Sequence, residues 1–114
     1  MTDHSKKENP WIQRAEDAAN YLTETDRQIA ELRINYERCK RIAKREWSAI
    51  FLRVDGSVEA RKAQAETDPV YKDSQDAEMD ALLAFEKLRN ERDTAETVIE
   101  FWRSYNKATA DGLV

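Results

Sequence analysis

Between Thr25 and Val54 the chain runs for thirty residues, TDRQIAELRINYERCKRIAKREWSAIFLRV, without a glycine or a proline. Apolar side chains recur along it at helical spacing, so it reads as one long helix, with the rest of the chain as its partner, connector or cap. The whole sequence of 114 residues holds only two Gly and two Pro. An antiparallel sheet needs turn residues far more often than that. With 37 % charged and 40 % apolar residues the composition is that of long helices and coiled coils, and the expected class is all-α.

The predicted elements follow from start and stop signals. Residues 1–8 form a charged tail with nothing to bury and are expected to be disordered. Asn9-Pro10 is a helix start, Asn as N-cap and Pro where its missing N–H costs nothing. From Trp11 onward the apolar positions fall on a heptad grid. One seam is Ala15, Leu22, Ile29, Tyr36, Ala43 and Ile50; the other is Trp11, Ala18, Thr25, Leu32 and Cys39. Glu46 interrupts the second seam, and Trp47 and Val54 take it over, as a straight helix drifting from a strict heptad requires. Thr25 with Gln28 makes a capping-box pattern, so either one helix spans 10–54 or a second begins at Thr25. Asp55-Gly56-Ser57 ends it. A short helix over 58–66 leads to Asp68-Pro69, which repeats the start signal, and a last helix covers 69–107 with Ala81, Phe85, Leu88, Ala95, Ile99 and Trp102 as its apolar line.

These elements predict one domain over 9–110, an antiparallel long-helix hairpin of coiled-coil type with an N-terminal helical segment. A register in which Ile50 faces Ser74, Tyr36 faces Leu88 and Leu22 faces Trp102 gives sensible pairs. It leaves apolar groups over. Trp47, Phe51, Phe101 and Trp102 cannot all turn toward one partner helix, because adjacent residues point about 100° apart. Assembly into an oligomeric helical bundle through Trp11, Leu22, Trp47, Phe51, Phe101 and Trp102 is the favoured resolution. The alternative is a monomer in which Trp11–Leu22 folds back over the patch. The three tryptophans read as packing residues before they read as ligand-stacking ones.

Catalytic chemistry has little to stand on. The single histidine, His4, lies in the tail, so neither a Ser/His nor a Cys/His pair is available. Cys39 sits on the seam and reads as a small hydrophobe. No glycine-rich phosphate loop occurs. The pairs Asp76/Asp80 and Asp93/Glu96 read as solvated helix faces rather than metal ligands. The expectation is a non-enzyme without metal or cofactor. The N-terminal MTDHSKKENP lacks the apolar core of a signal peptide, and the longest apolar run, Ala49–Leu52, is far short of a membrane span. A cytoplasmic location is expected, that of a bacterial host if the chain is phage-encoded.

The net charge of −4 is unevenly spread: residues 27–54 carry eight Lys/Arg against three Asp/Glu, and residues 55–82 carry three against eight. Arg38, Arg41 and Arg45 share one helix face with Lys40 and Lys44 beside it, and Arg61 and Lys62 extend the cluster beyond the turn. Phosphate backbones are bound by clusters of this kind. From the residues alone, pairing of this basic segment with the acidic DSQDAEMD segment, Lys44 near Asp80 and Phe51 near Asp73, ranks ahead of nucleic acid, and nucleic acid ahead of a protein partner.

One layout adds weight to the second reading. A basic first helix is followed by Gly56-Ser57, Arg61-Lys62-Ala63 and Tyr71, then a long helix ending Ile99-x-x-Trp102-Arg103-Ser104. From about Ile29 to Lys107 this resembles small helical proteins of phage and prophage recombination modules, and more distantly the UvsY family of recombination mediators. The resemblance implies an oligomer that binds single-stranded DNA and helps load a recombinase. It places Arg38, Arg41, Lys44, Arg45, Arg61 and Lys62 on phosphates, and Trp11, Leu22, Phe101 and Trp102 between subunits. The acidic total then requires the basic patch to be segregated. The rival expectation is a coiled-coil adaptor or scaffold of phage or prophage origin that binds protein and no nucleic acid. An acidic mimic of DNA comes third, because 19 basic residues against 23 acidic ones leave no one-signed surface.

Overall fold

The computed structural model describes residues 9–112, so the expected tail over 1–8, with His4, lies outside the described residues. Three helices and no strand occur among them: α1 (Pro10–Arg53), α2 (Val58–Thr67) and α3 (Pro69–Ala110). The chain is an all-α helical hairpin. It divides into two compact units, the first joining α1 up to Gln28 with α3 from Leu88, the second comprising Ile29–Lys87.

The helix starts are built as their residues dictate. Asn9 Oδ1 accepts from the Trp11 N–H at 2.9 Å, and Asp68 Oδ1 accepts from the Val70 N–H at 2.8 Å. Each side chain satisfies one of the donors that a helix start leaves bare, with proline at the next position. Ser57, in extended backbone, does the same for α2 by accepting from Ala60 N–H at 3.1 Å. Helix α1 passes unbroken through Thr25, which settles the choice left open at the capping box. The Thr25 hydroxyl donates back to the Tyr21 carbonyl at 2.7 Å, the bond a threonine makes inside a helix rather than at its start.

In the first unit Ala15, Ala18, Thr25, Leu88 and Ala95 are buried. Trp11 packs on Phe101 with ring centroids 4.5 Å apart, and the Arg92 guanidinium reaches the Leu22 carbonyl, so α1 and α3 run antiparallel. In the second unit the core is Ala43, Ile50, Ala65 and Ala81, and Ile50 is its one large side chain that is fully enclosed. Alanines on the seam let two backbones approach closely, and each adds little apolar area, so packing here is tight rather than voluminous.

The expected register is displaced. Leu22 lies against Arg92, about three helical turns from Trp102. In the second unit Tyr36 meets Phe85, and Ser74 shares a groove with Ile42 where Ile50 was expected. The cause is the turn. The chain reverses at residues 54–57, and the returning leg begins with α2, whose Arg61 stacks on Phe51, instead of waiting for Pro69. The segment that the sequence suggests as a connector is therefore a separate helix already packed against the end of α1.

Candidate nucleic-acid interface

Within the second unit, Arg38, Lys40, Arg41, Lys44 and Arg45 are all exposed on α1. Lys40 Nζ stands 3.5 Å from Glu37 Oε1 and 5.3 Å from the Tyr36 ring centroid. Among the described residues no hydrogen bond or ion pair engages the side chains of Arg38, Arg41, Lys44 or Arg45. The expected pairing with the acidic segment is thus not made at Lys44. Asp73 lines a groove with Cys39, Ile42, Val70, Ser74 and Ala77, away from the Phe51 position expected of it. The displaced register accounts for this, since it moves the acidic residues of α3 along α1.

The two remaining basic candidates are differently placed. Arg61 is half-buried, and its Nε and Nη2 both donate to the Phe51 carbonyl, at 3.0 and 2.8 Å. That carbonyl belongs to the last turn of α1, where the helix has no further N–H to offer and its dipole favours a cation. The guanidinium also lies 4.2 Å from the Phe51 ring centroid. Arg61 is therefore a clasp of the hairpin turn. Lys62 is exposed beside Glu59, 3.9 Å away.

Beside the basic row an open groove of about 490 Å³ is lined by Arg33, Ile34, Tyr36, Glu37, Arg41 and Phe85. The Tyr36 and Phe85 rings are nearly parallel, 7° apart, with centroids separated by 6.4 Å. Reading the cations alone misses this groove. Its signal was the spacing of Arg33, Glu37 and Arg41, one turn apart each, next to an aromatic on the seam.

The residues expected between subunits are mostly engaged within the chain. Trp11 covers Phe101, Trp47 stacks on Phe51 at 5.2 Å, and Trp102 lies 6.3 Å from Tyr105. Leu22 is half-buried. Of the six, Phe101 is exposed, at 48 %. The larger exposed apolar groups are others: Leu52 at 76 %, Leu83 at 69 % and Met79 at 60 %.

In the first unit a polar cluster joins the helices. Arg92 Nη1 donates to Leu22 O at 2.8 Å and Thr25 Oγ1 at 2.7 Å, with Asp26 Oδ1 3.5 Å from Nη2. Nearby the Tyr21 hydroxyl donates to Glu91 Oε2 at 2.6 Å, which raises the tyrosine pKa above its ordinary 10.0. Among the described residues no group of three or more His, Cys, Asp or Glu converges as a metal site, and no helix is long and apolar enough to cross a membrane. No family model, curated protein or solved structure matches the chain.

Proposed function

We propose that the protein binds single-stranded DNA through the α1 face bearing Arg38, Arg41, Lys44 and Arg45, as a self-associating accessory of recombination. The observation that carries the reading is the state of those four side chains: exposed, and without an ion-pair partner among the described residues. Four cations crowded on one helix face repel one another, and an outside anion relieves that repulsion. A polyphosphate backbone does so and gains by releasing its counterions. The recombinase-loading role comes from the resemblance in sequence layout.

Self-association is supported by the exposure of Leu52, Met79 and Leu83, apolar side chains that α1 and α3 leave in water. Copies gathered through such groups present several weak basic faces to one flexible strand. Linked weak sites gain by effective concentration, so modest affinity per subunit suffices. A second reading, a helical adaptor, rests on the apolar groove of Cys39, Ile42, Val70 and Ala77.

Binding of a single-stranded oligonucleotide, followed from low to moderate salt, tests the proposal. Affinity falls steeply with salt, and Arg41→Ala with Arg45→Ala removes most of it and lowers the salt slope by about two, one for each phosphate contact. Absence of binding at low salt sinks the nucleic-acid reading and leaves the adaptor. Sedimentation at micromolar concentration tests self-association, and a strict monomer removes the pooled-site mechanism.

A further inference from the structure

We propose that the groove of Arg33, Ile34, Tyr36, Glu37, Arg41 and Phe85 is a nucleobase subsite, in which one unstacked base of a bound strand lies against the Tyr36 and Phe85 rings. The inference rests on the reading of the basic face as a strand-binding surface, and it adds what that surface recognises besides charge.

Three features of the groove argue for a base rather than a phosphate at its centre. Ile34 adds apolar surface to the two rings, and the one carboxylate of the lining, Glu37, is already held by Lys40 at 3.5 Å, so the wall between the arginines offers a seat to a neutral planar group rather than to an anion. The cations stand at its two ends. Arg33 and Arg41 are eight residues apart, about 12 Å along the helix axis, which sets two phosphate-binding positions either side of one aromatic platform. The platform itself is two near-parallel rings, and every base offers a π-face to such a surface irrespective of sequence. The volume, about 490 Å³, accommodates a base with its sugar. Lys40, now over the Tyr36 ring at 5.3 Å, is released to a neighbouring phosphate when the base takes that place.

Duplex DNA cannot use this arrangement, since its bases are paired and stacked inside. The subsite therefore gives a preference for single strands that the cations alone do not. It also separates an oligonucleotide from inorganic phosphate, which has no base to seat.

The test compares the unaltered protein on two probes of equal length and charge at low salt, a single-stranded oligonucleotide and the same sugar-phosphate chain without bases. The expected result is about 5- to 160-fold weaker binding of the abasic chain, the range of one base–aromatic stack. Phe85→Leu weakens the oligonucleotide by a similar factor and leaves the abasic chain unchanged. Arg33→Ala, on an exposed position that the fold does not need, weakens both probes equally. Equal affinity of the unaltered protein for both probes overturns the subsite while leaving the basic face standing. Failure to bind either probe overturns the two together.

Discussion

Arg92 Nη1 donates to Thr25 Oγ1 at 2.7 Å, a bond from α3 to a position of α1 that the heptad assigns to the core. The same nitrogen reaches Leu22 O, and the threonine hydroxyl passes its own proton to Tyr21 O. A charged group with a side chain only 17 % exposed is tolerated here because its donors have acceptors on the facing helix. Truncating one member leaves the other under-satisfied. Arg92→Ala is expected to destabilise by about 2–3 kcal/mol, and Thr25→Val by about 1–2. A double-mutant cycle by denaturant unfolding should give a coupling of about 0.5–3 kcal/mol. Additive effects would show that the two side chains do not act as a unit.

Arg61 looks like an extension of the basic cluster in sequence, yet it donates twice to the Phe51 carbonyl. Its loss belongs to stability rather than to strand binding. Arg61→Ala should cost about 1–3 kcal/mol, the value of hydrogen bonds from a charged donor, and Arg61→Lys should recover little, because an ammonium has no fork and stacks poorly on the ring. Strand affinity measured well below the melting temperature should change less than twofold. A large loss of affinity without a loss of stability would return Arg61 to the binding face.

Tyr21 carries the pH dependence. The hydrogen bond to Glu91 is the main cause of its raised pKa, with partial desolvation and the carboxylate charge adding to it and Arg92 opposing. A proton held more tightly in the folded than in the unfolded chain stabilises the fold below the unfolded value of 10.0, and that contribution disappears as pH rises through the folded value. Ultraviolet difference titration of the native chain against Tyr21→Phe should isolate one tyrosine that ionises above pH 10.0. As pH rises above 10.0 the native chain should lose stability relative to Tyr21→Phe. Parallel profiles would remove the Tyr21–Glu91 bond from the account.

What the residue pattern makes legible is each helix by itself. Every position of the two α1 seams is buried or half-buried, as are Ala81, Phe85, Leu88, Ala95, Ile99 and Trp102 on α3. Caps at Asn9, Ser57 and Asp68 were equally readable, because each acts within three residues of itself. Register was not, because it depends on which residue starts the return leg, and alanine seams accept more than one offset. The slip then relocates Asp73 and leaves Lys44 without its expected neighbour. Arg92 and Thr25 offered a usable signal: a cation and a hydroxyl each stand where the heptad wants an apolar group. The groove beside Tyr36 required the register first.

Gly56 lies where the chain reverses between α1 and α2. Gly56 has φ +122°, a backbone region that side-chain-bearing residues avoid, and a Cβ there would meet the Ala60 Cβ at 3.4 Å. Since 3.4 Å is an ordinary contact, backbone strain rather than collision sets the cost, about 1–3 kcal/mol for Gly56→Ala. Gly112 is also at positive φ, +75°, with nothing within 4 Å of its added Cβ. It follows the last turn of α3, where local refolding relieves the strain without disturbing a core. Gly56→Ala should therefore lower the melting temperature by several degrees and Gly112→Ala by much less. Since α2 begins two residues after Gly56 and supplies buried Ala65 to the core of its unit, the variant should also weaken protection of the α2 amides in hydrogen exchange. Equal melting temperatures for the two variants would mean that the turn at Asp55-Gly56-Ser57 adapts to a side chain at no cost, and that the return leg is held by α2 packing alone.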